Sequence, residues 1–172
     1  MRYNIEYMGY IGSYVWKIRQ KIGHDELITA TVDVVAIRDG KVCLVYNKDF
    51  EAWMLPAGHV EANDSWQSAI KTEMHEEAGL IAEESDLIPF ATISGPSYRY
   101  EYPNGDRTRP FTLAFLCEKF LEEDFTDEGE ILKKEWFDLN SVQNLPLTKG
   151  AALLLKAYIE YSKTKAFQQI VI

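Results

Sequence analysis

The feature that most constrains this chain of 172 residues is a helical segment that must carry three glutamates on one face. The segment runs from Ser65, a residue type that caps helix starts, to Ala78, and it stops at Gly79. At about 100° per residue, Glu73 and Glu77 share a face. Glu76 lies three residues from Glu73, so the three carboxylates fall within an arc of about 100°. Trp66 and Ile70 continue that stripe toward the helix start and join the acidic arc to the buried side. Two carboxylates about 6 Å apart repel by about 3 kcal/mol at an effective dielectric of about 20, against less than about 1 kcal/mol in water. A solvated acidic face is the ordinary reading of such a helix taken alone. A partly buried cluster instead calls for a cation, and oxygen-only ligands favour Mg2+ or Mn2+.

Strand and helix patterns surround that segment. Ser13 to Gly23 predicts a short helix, with Val15, Ile18 and Ile22 facing inward and Lys17, Arg19 and Lys21 facing water. Thr29–Ile37 and Val42–Tyr46 are β-branched runs, and Arg38, Asp39, Gly40 and Lys41 between them signal a hairpin. Trp53–Leu55 reads as a short strand ended by Pro56. Phe90–Tyr102 and Phe111–Phe120 are strand-like, separated by Pro103, Asn104, Gly105 and Asp106, where Asn-Gly accepts a positive φ. Glu135–Leu139 adds a strand. Gly150–Thr164 adds a C-terminal helix whose apolar stripe is Leu153, Leu154, Ala157, Tyr158 and Tyr161. The expectation is one α/β domain, a mixed sheet with helices covering it.

Charge and composition narrow the function. Eighteen basic against 27 acidic residues give a net charge of −9, which argues against gripping a nucleic acid or an anionic membrane surface. No run approaches the roughly 18–20 apolar residues of a membrane span. The first twenty residues show neither an apolar core nor a small-residue cleavage site, so no signal peptide is expected. Cys43 and Cys117 sit in apolar runs and read as two buried free thiols, which suggests a reducing, cytoplasmic setting.

The segment from Gly58 to Leu80 resembles the Nudix box, G-x5-E-x7-R-E-U-x-E-E-x-G-U, where U is bulky and apolar. The match falls on Gly58, Glu73, Met74, Glu76, Glu77, Gly79 and Leu80. Upstream, Trp53, Leu55, Pro56 and Gly58 resemble the Trp-x-Leu-Pro-Gly-Gly that precedes the box. Downstream, Glu135–Leu139 and Leu145, Pro146 and Leu147 look like the family's closing strand and loop. The resemblance covers about residues 29–160 and implies a Nudix-type α/β/α sandwich. It divides the chain into an N-terminal extension (1–28), a Nudix domain (29–164) and a C-terminal tail (165–172). It implies hydrolysis of a nucleoside diphosphate linked to another group, to a nucleoside monophosphate and a phosphorylated remainder, with Mg2+, or Mn2+, as cofactor. Glu73, Glu76 and Glu77 would be the catalytic and metal-holding residues, joined at the metal by the Ala57 backbone carbonyl and Gly58. Glu128 or Glu130 would supply a further carboxylate from a later loop. Three positions depart from the pattern. Asp64 replaces the first box Glu, Ala57 replaces a Gly, and Thr72 replaces the box Arg that would pair with Glu76. The loss of that Arg favours a competing reading, a weak or inactive ligand-binding module.

Substrate contacts are sought among aromatic residues. Tyr98, Arg99, Tyr100 and Tyr102 alternate before the Asn104-Gly105 turn, and one face there could stack a base and set the Arg99 guanidinium on a phosphate. Phe50 and Trp53 are further candidates for a base pocket, and Arg107 and Arg109 for phosphate. His24, His59 and His75 show no metal spacing. The N-terminal stretch is aromatic, with Tyr3, Tyr7, Tyr10, Tyr14 and Trp16. Such extensions in similar proteins pack against a second subunit and help wall the substrate site, so a homodimer is expected. Docking on the chain's own core is the alternative.

Overall fold

The structure is a computed structural model that describes residues 8–125 and 129–172. Its centre is β1 (Leu27–Arg38), a run of β-branched and small apolar residues long enough to pair along its length with different neighbours. It forms the expected hairpin with β2 (Lys41–Asn47), and Asp39 and Gly40 both adopt positive φ at the turn. Two short strands follow, β3 (Ala52–Met54) on β2 and β4 (Ala57–His59) on the first half of β1. The chain then enters α2 (Trp66–Ala78), after α1 (Tyr14–Ile22) at the N-terminus.

The remaining strands are β5 (Leu80–Ile81), β6 (Leu87–Ser94), β7 (Tyr100–Glu101), β8 (Arg107–Cys117), β9 (Leu121–Glu122) and β10 (Ile131–Asp138). They are followed by α3 (Lys149–Thr164) and β11 (Gln168–Val171). The main sheet runs β10-β2-β1-β8-β6-β11, parallel at β1–β8 and β6–β11 and otherwise antiparallel, so it is mixed as expected.

The alternation of β1 explains the layers. Val32, Val34 and Ala36 face α2 and pack with Ile70, Met74 and Ala78. Val35 and Ile37 face the other way and pack with Leu154 and Leu155 of α3 and with Phe90. A strand buried on both faces reads as continuously apolar, as Val34–Ile37 does, whereas Thr29, Thr31 and Asp33 alternate with apolar residues in the first half of β1. The result is the single-domain α/β/α sandwich. No helix among the described residues is long and apolar enough to cross a membrane.

Several local readings are corrected. Phe90–Tyr102 is two strands, not one. The chain breaks at Gly95, which has φ +127°, and a Cβ there would collide with the backbone of Ile172. The residues set apart as a C-terminal tail include β11, a parallel strand on β6. The 135–139 strand starts earlier, at Ile131, and the 111–120 strand at Arg107. Arg19 does not face water: it is 0% exposed. The helix periodicity that put it outside took no account of the β8 end that packs there, whose Arg107 carbonyl accepts from its guanidinium at 2.7 Å.

Candidate functional site

The box helix is positioned at both ends by local chemistry. Ser65 and Ser68 form a reciprocal cap: Ser65 Oγ accepts the Ser68 N–H at 3.0 Å, and Ser68 Oγ accepts the Ser65 N–H at 2.8 Å. At the other end Gly79 takes the left-handed conformation, φ 62° and ψ 28°, and its N–H donates to the His75 carbonyl. Ala69, Ile70, Met74 and Ala78 anchor the helix in the core. Glu73, Glu76 and Glu77 then line a cavity of about 500 Å³. Ile70 is buried as the stripe requires, but Trp66 is exposed at the helix start.

Strand β4 meets this acidic face. Val34 N–H donates to the Pro56 carbonyl, and Val60 N–H to the Ala30 carbonyl. The intervening Asp33–Ala57 pair is therefore of the non-hydrogen-bonded type, and the N–H and C=O of Ala57 turn away from β1. The Ala57 N–H donates to Glu77 Oε2 at 2.9 Å. Gly58 lies against the Glu73 carboxylate, which occupies the space a Cβ would need. Its φ is not positive, so glycine is required there for space and not for conformation.

These carboxyls are held far from their ordinary behaviour. Burial, then Glu76 and Glu130, push Glu73 up to about 8. Burial, then Glu73 and Glu130, hold Glu77 well above the carboxylate range, against the opposing Ala57 hydrogen bond. Burial pushes Asp33 up to about 7. Glu130 lines the same cavity, and its Oε1 accepts from Asn47 Nδ2 at 3.1 Å. Glu128 lies outside the described residues. Among the described lining residues are seven carboxylates (Asp33, Glu61, Asp64, Glu73, Glu76, Glu77, Glu130) and no Lys or Arg. His59 also lines the cavity, but burial and Arg19 push it down to about 4.

No group of three or more His, Cys, Asp or Glu among the described residues stands ready to grip a metal ion. What fits a hard dication is the donor chemistry. Crowded, half-buried oxygen donors repel one another, no cationic side chain among the described residues lines the cavity with them, and Gly58 leaves room for Glu73.

Residues 27–158 match the NUDIX domain. The chain belongs to the Nudix family of hydrolases. It is 25% identical over 119 residues to the Nudix hydrolase YvcI of Bacillus subtilis (strain 168), covering 68% of this chain and 70% of that protein. It is 25% identical over 126 residues to an RNA pyrophosphohydrolase of Sphingopyxis alaskensis, covering 65% of this chain and 78% of that protein. In fold it is similar to an ADP-ribose pyrophosphatase of Streptococcus suis 89-1591, with a TM-score of 0.63 and 22% identity, over 84% of this chain and 98% of that one. Nudix hydrolases generally use divalent metal ions.

The departures from the Nudix box have structural counterparts. Thr72 is exposed, and its hydroxyl donates to the Ser68 carbonyl at 3.1 Å, a bond along its own helix. Asp64 lies at the cavity edge, where it accepts from Ser68 Oγ at 3.1 Å and from the Glu61 N–H at 3.3 Å.

On the substrate side the aromatic candidates divide. Phe50 and Tyr100 line the cavity, and Phe50 meets Tyr100 and Tyr102 with ring centroids 5.4 and 5.1 Å apart. Trp53 is placed elsewhere. It is 7% exposed and packs edge-on against Tyr46 and Phe137 at 5.3 and 4.7 Å, while its neighbour Met54 lines the cavity. Strand alternation sends adjacent side chains to opposite faces, so only one of the two can reach it. Arg99, in the segment leading into β7, is likewise separated from Tyr98 and Tyr100. Both tyrosines line the cavity, whereas Arg99 turns outward to Glu26 at 2.9 Å. Arg107 and Arg109 are also outside, paired with Asp25 and Glu26.

Asp33 escapes the sequence reading, while the aromatic N-terminal segment walls the cavity in cis, in keeping with the alternative of docking on the chain's own core. Asp33 is the one charge within the apolar stretch 29–37 of β1, and that isolation is the signal that could have found it. Met8, Gly9, Tyr10, Ser13 and Val15 wall the cavity from the chain's own N-terminal segment, and the Tyr14 N–H donates to Glu61 at 2.7 Å. Tyr3 and Tyr7 lie outside the described residues.

Proposed function

We propose that this Nudix hydrolase cleaves the pyrophosphate linkage of a nucleoside diphosphate derivative, releasing a nucleoside monophosphate and the phosphorylated remainder. The observation that carries the reading is the half-buried Glu73–Glu77 pair, whose carboxyls are both held above the ordinary range. It faces a cavity that also holds Glu76, Glu130 and an aromatic wall, but no Lys or Arg among the described residues. A diphosphate would be repelled by such a cavity unless cations intervened. Glu73, Glu77 and Glu76, with the Ala57 carbonyl beside Gly58, would hold Mg2+, for which Mn2+ could substitute. That ion supplies charge neutralisation and polarisation of a phosphoryl oxygen. Glu76 and Glu130 are the two carboxylates we assign to accepting a proton from the attacking water, and Asn47 orients Glu130. Phe50 and Tyr100 would contact the nucleoside part.

The test is a panel of ADP-ribose, NADH, dinucleoside polyphosphates, CDP-choline, nucleotide sugars and nucleoside triphosphates with Mg2+, read by release of nucleoside monophosphate or phosphate. Glu77→Gln is expected to abolish turnover with the fold intact, and full activity in that variant would overturn the mechanism. Loss in Glu130→Gln against retention in Glu76→Gln names Glu130 as the base; the reverse, with Mn2+ affinity unchanged in Glu76→Gln, names Glu76. The Thr72 hydroxyl, spent on its own helix, favours a second reading as a ligand-binding module. Silence across the panel with nucleotide binding intact would select it.

Two further assignments belong to this reading. Cys43 and Cys117 are buried free thiols, in keeping with a reducing cytoplasmic setting. A homodimer formed by the 29–164 domain and its N-terminal extension is tested by light scattering, and a monomer at micromolar concentration would refute it.

A further inference from the structure

Asp106, at the tip of the β7–β8 hairpin, is fully buried against the N-terminal segment. Its Oδ2 accepts the Met8 N–H at 2.6 Å and the Asn104 side-chain amide at 3.2 Å. Its Oδ1 lies 2.7 Å from His24 Nδ1 and 3.6 Å from Arg19 Nε. Arg19 is equally buried. Nη1 donates to the Gly23 and Asp25 carbonyls at 3.0 and 2.5 Å, and Nη2 donates to the Arg107 carbonyl at 2.7 Å. The attraction within a buried ion pair roughly offsets its desolvation, so such a pair is weak evidence of stabilisation. What this pair does in the fold is join two segments.

Both segments line the cavity. On one side the Tyr102 N–H donates to the Asp106 carbonyl at 2.9 Å, which ties the turn to the end of β7, next to Tyr100 and Tyr102 on the cavity lining. On the other side stand Met8, Gly9 and Tyr10, all before residue 27, where the family match begins. Tyr10 is 38% exposed and stands at the acidic rim, where burial and the Glu61 and Glu76 carboxylates raise its phenol above its ordinary range.

We infer that Asp106 is a positioning residue: by gripping Met8 and Arg19 it holds residues 8–15 as the outer cavity wall in cis, and Tyr10 on that wall is a specificity-determining substrate contact. The ring offers a stacking face for the part of the substrate beyond its phosphates. The substrate role rests on the pyrophosphohydrolase reading. The positioning role does not.

The experiment compares Asp106→Asn, Asp106→Glu, Tyr10→Ala and the Asp106→Asn/Tyr10→Ala pair, with folding checked by thermal unfolding. In Asp106→Asn, amide exchange across residues 8–15 should accelerate at least about tenfold, while β1 and α2 keep their protection. KM for the best substrate should rise at least about fivefold in Asp106→Asn and in Tyr10→Ala, with kcat within about twofold of the parent. The pair should be no worse than Tyr10→Ala alone, because Asp106 acts through that wall. Asp106→Glu, which keeps the charge, should recover part of the exchange protection. Unchanged exchange in residues 8–15 overturns the positioning role, and so does additivity of the two substitutions. An unchanged KM in Tyr10→Ala overturns the contact. If the parent hydrolyses nothing, the hydrolase reading fails by itself. AMP affinity by calorimetry then replaces KM, and the exchange measurement decides the positioning role as before.

Discussion

The α-carbon of Gly58 lies against the carboxylate of Glu73, so close that a methyl group at position 58 would overlap Oε1 and Cδ of that side chain. Strand β4 and helix α2 thus meet through a glycine and a carboxyl group. Gly58→Ala is expected to displace Glu73 and leave the fold standing, because the obstructing atoms end a flexible side chain and Gly58 needs no positive φ. Calorimetry with Mn2+ should show affinity reduced about tenfold or more, of the order seen when a metal-site support is lost, with the melting temperature within a few degrees of the parent. Undiminished affinity would refute the assignment.

Metal-free protein should lose stability as the pH rises. Glu73 is raised from 4.5 to about 8 and Asp33 from 3.8 to about 7, with burial the leading cause for both. A carboxyl raised in the folded state contributes stability in full below its unfolded pKa, and loses it as pH climbs through the folded value. Urea unfolding in EDTA should therefore show a decline between about pH 4.5 and 8. Each carboxyl that stays protonated only in the folded state steepens that decline by up to about 1.4 kcal/mol per pH unit. Glu73→Gln should flatten the profile. A parent profile that rises over this interval contradicts the assignment.

Restoring the box arginine should help. Position 72 is exposed and lies one helical turn before Glu76. In Thr72→Arg a guanidinium can pair with that carboxylate, a surface contact worth about 0.3–0.5 kcal/mol to the helix. Turnover with Mg2+ should rise several-fold in steady-state assays. An equal or lower rate would show that the catalytic cluster has adapted to the missing cation.

Trp53 and Arg99 separate packing from binding. Trp53→Ala should cost about 3–5 kcal/mol in chemical denaturation, since it empties a space bounded by Tyr46 and Phe137. Trp53→Phe, smaller in its effect, should leave KM unchanged. Arg99→Ala, which removes an exposed pair with Glu26, should alter neither KM nor stability beyond about 1 kcal/mol. A several-fold rise of KM in either of the last two would return that residue to the site.

Much of this molecule was legible one segment at a time. Ser65 and Gly79 bound the box helix as their chemistry requires, Asp39-Gly40 makes the hairpin, and the spacing of Glu73, Glu76 and Glu77 brings all three to one cavity. The misreadings come where a second segment intervenes. Trp53 and Met54 are equally apolar, and only the placement of Tyr46 and Phe137 decides which of them faces the cavity. Arg19 reads as a solvent residue until Asp106, 87 positions away, is seen beside it.

By itself the sequence determined the chemistry available: which carboxylates share a helix face, where glycine must allow close approach, and which runs are apolar enough to be buried on both sides. These are short-range matters, set by periodicity and by the side chains themselves. Only the tertiary structure decided that Asp33 and Glu130 join the acidic cavity, that Arg99 leaves it, and that residues 8–15 close it from the same chain. Those outcomes depend on long-range packing and desolvation, and a residue's local pattern carries no information about which distant neighbour will exclude the water around it.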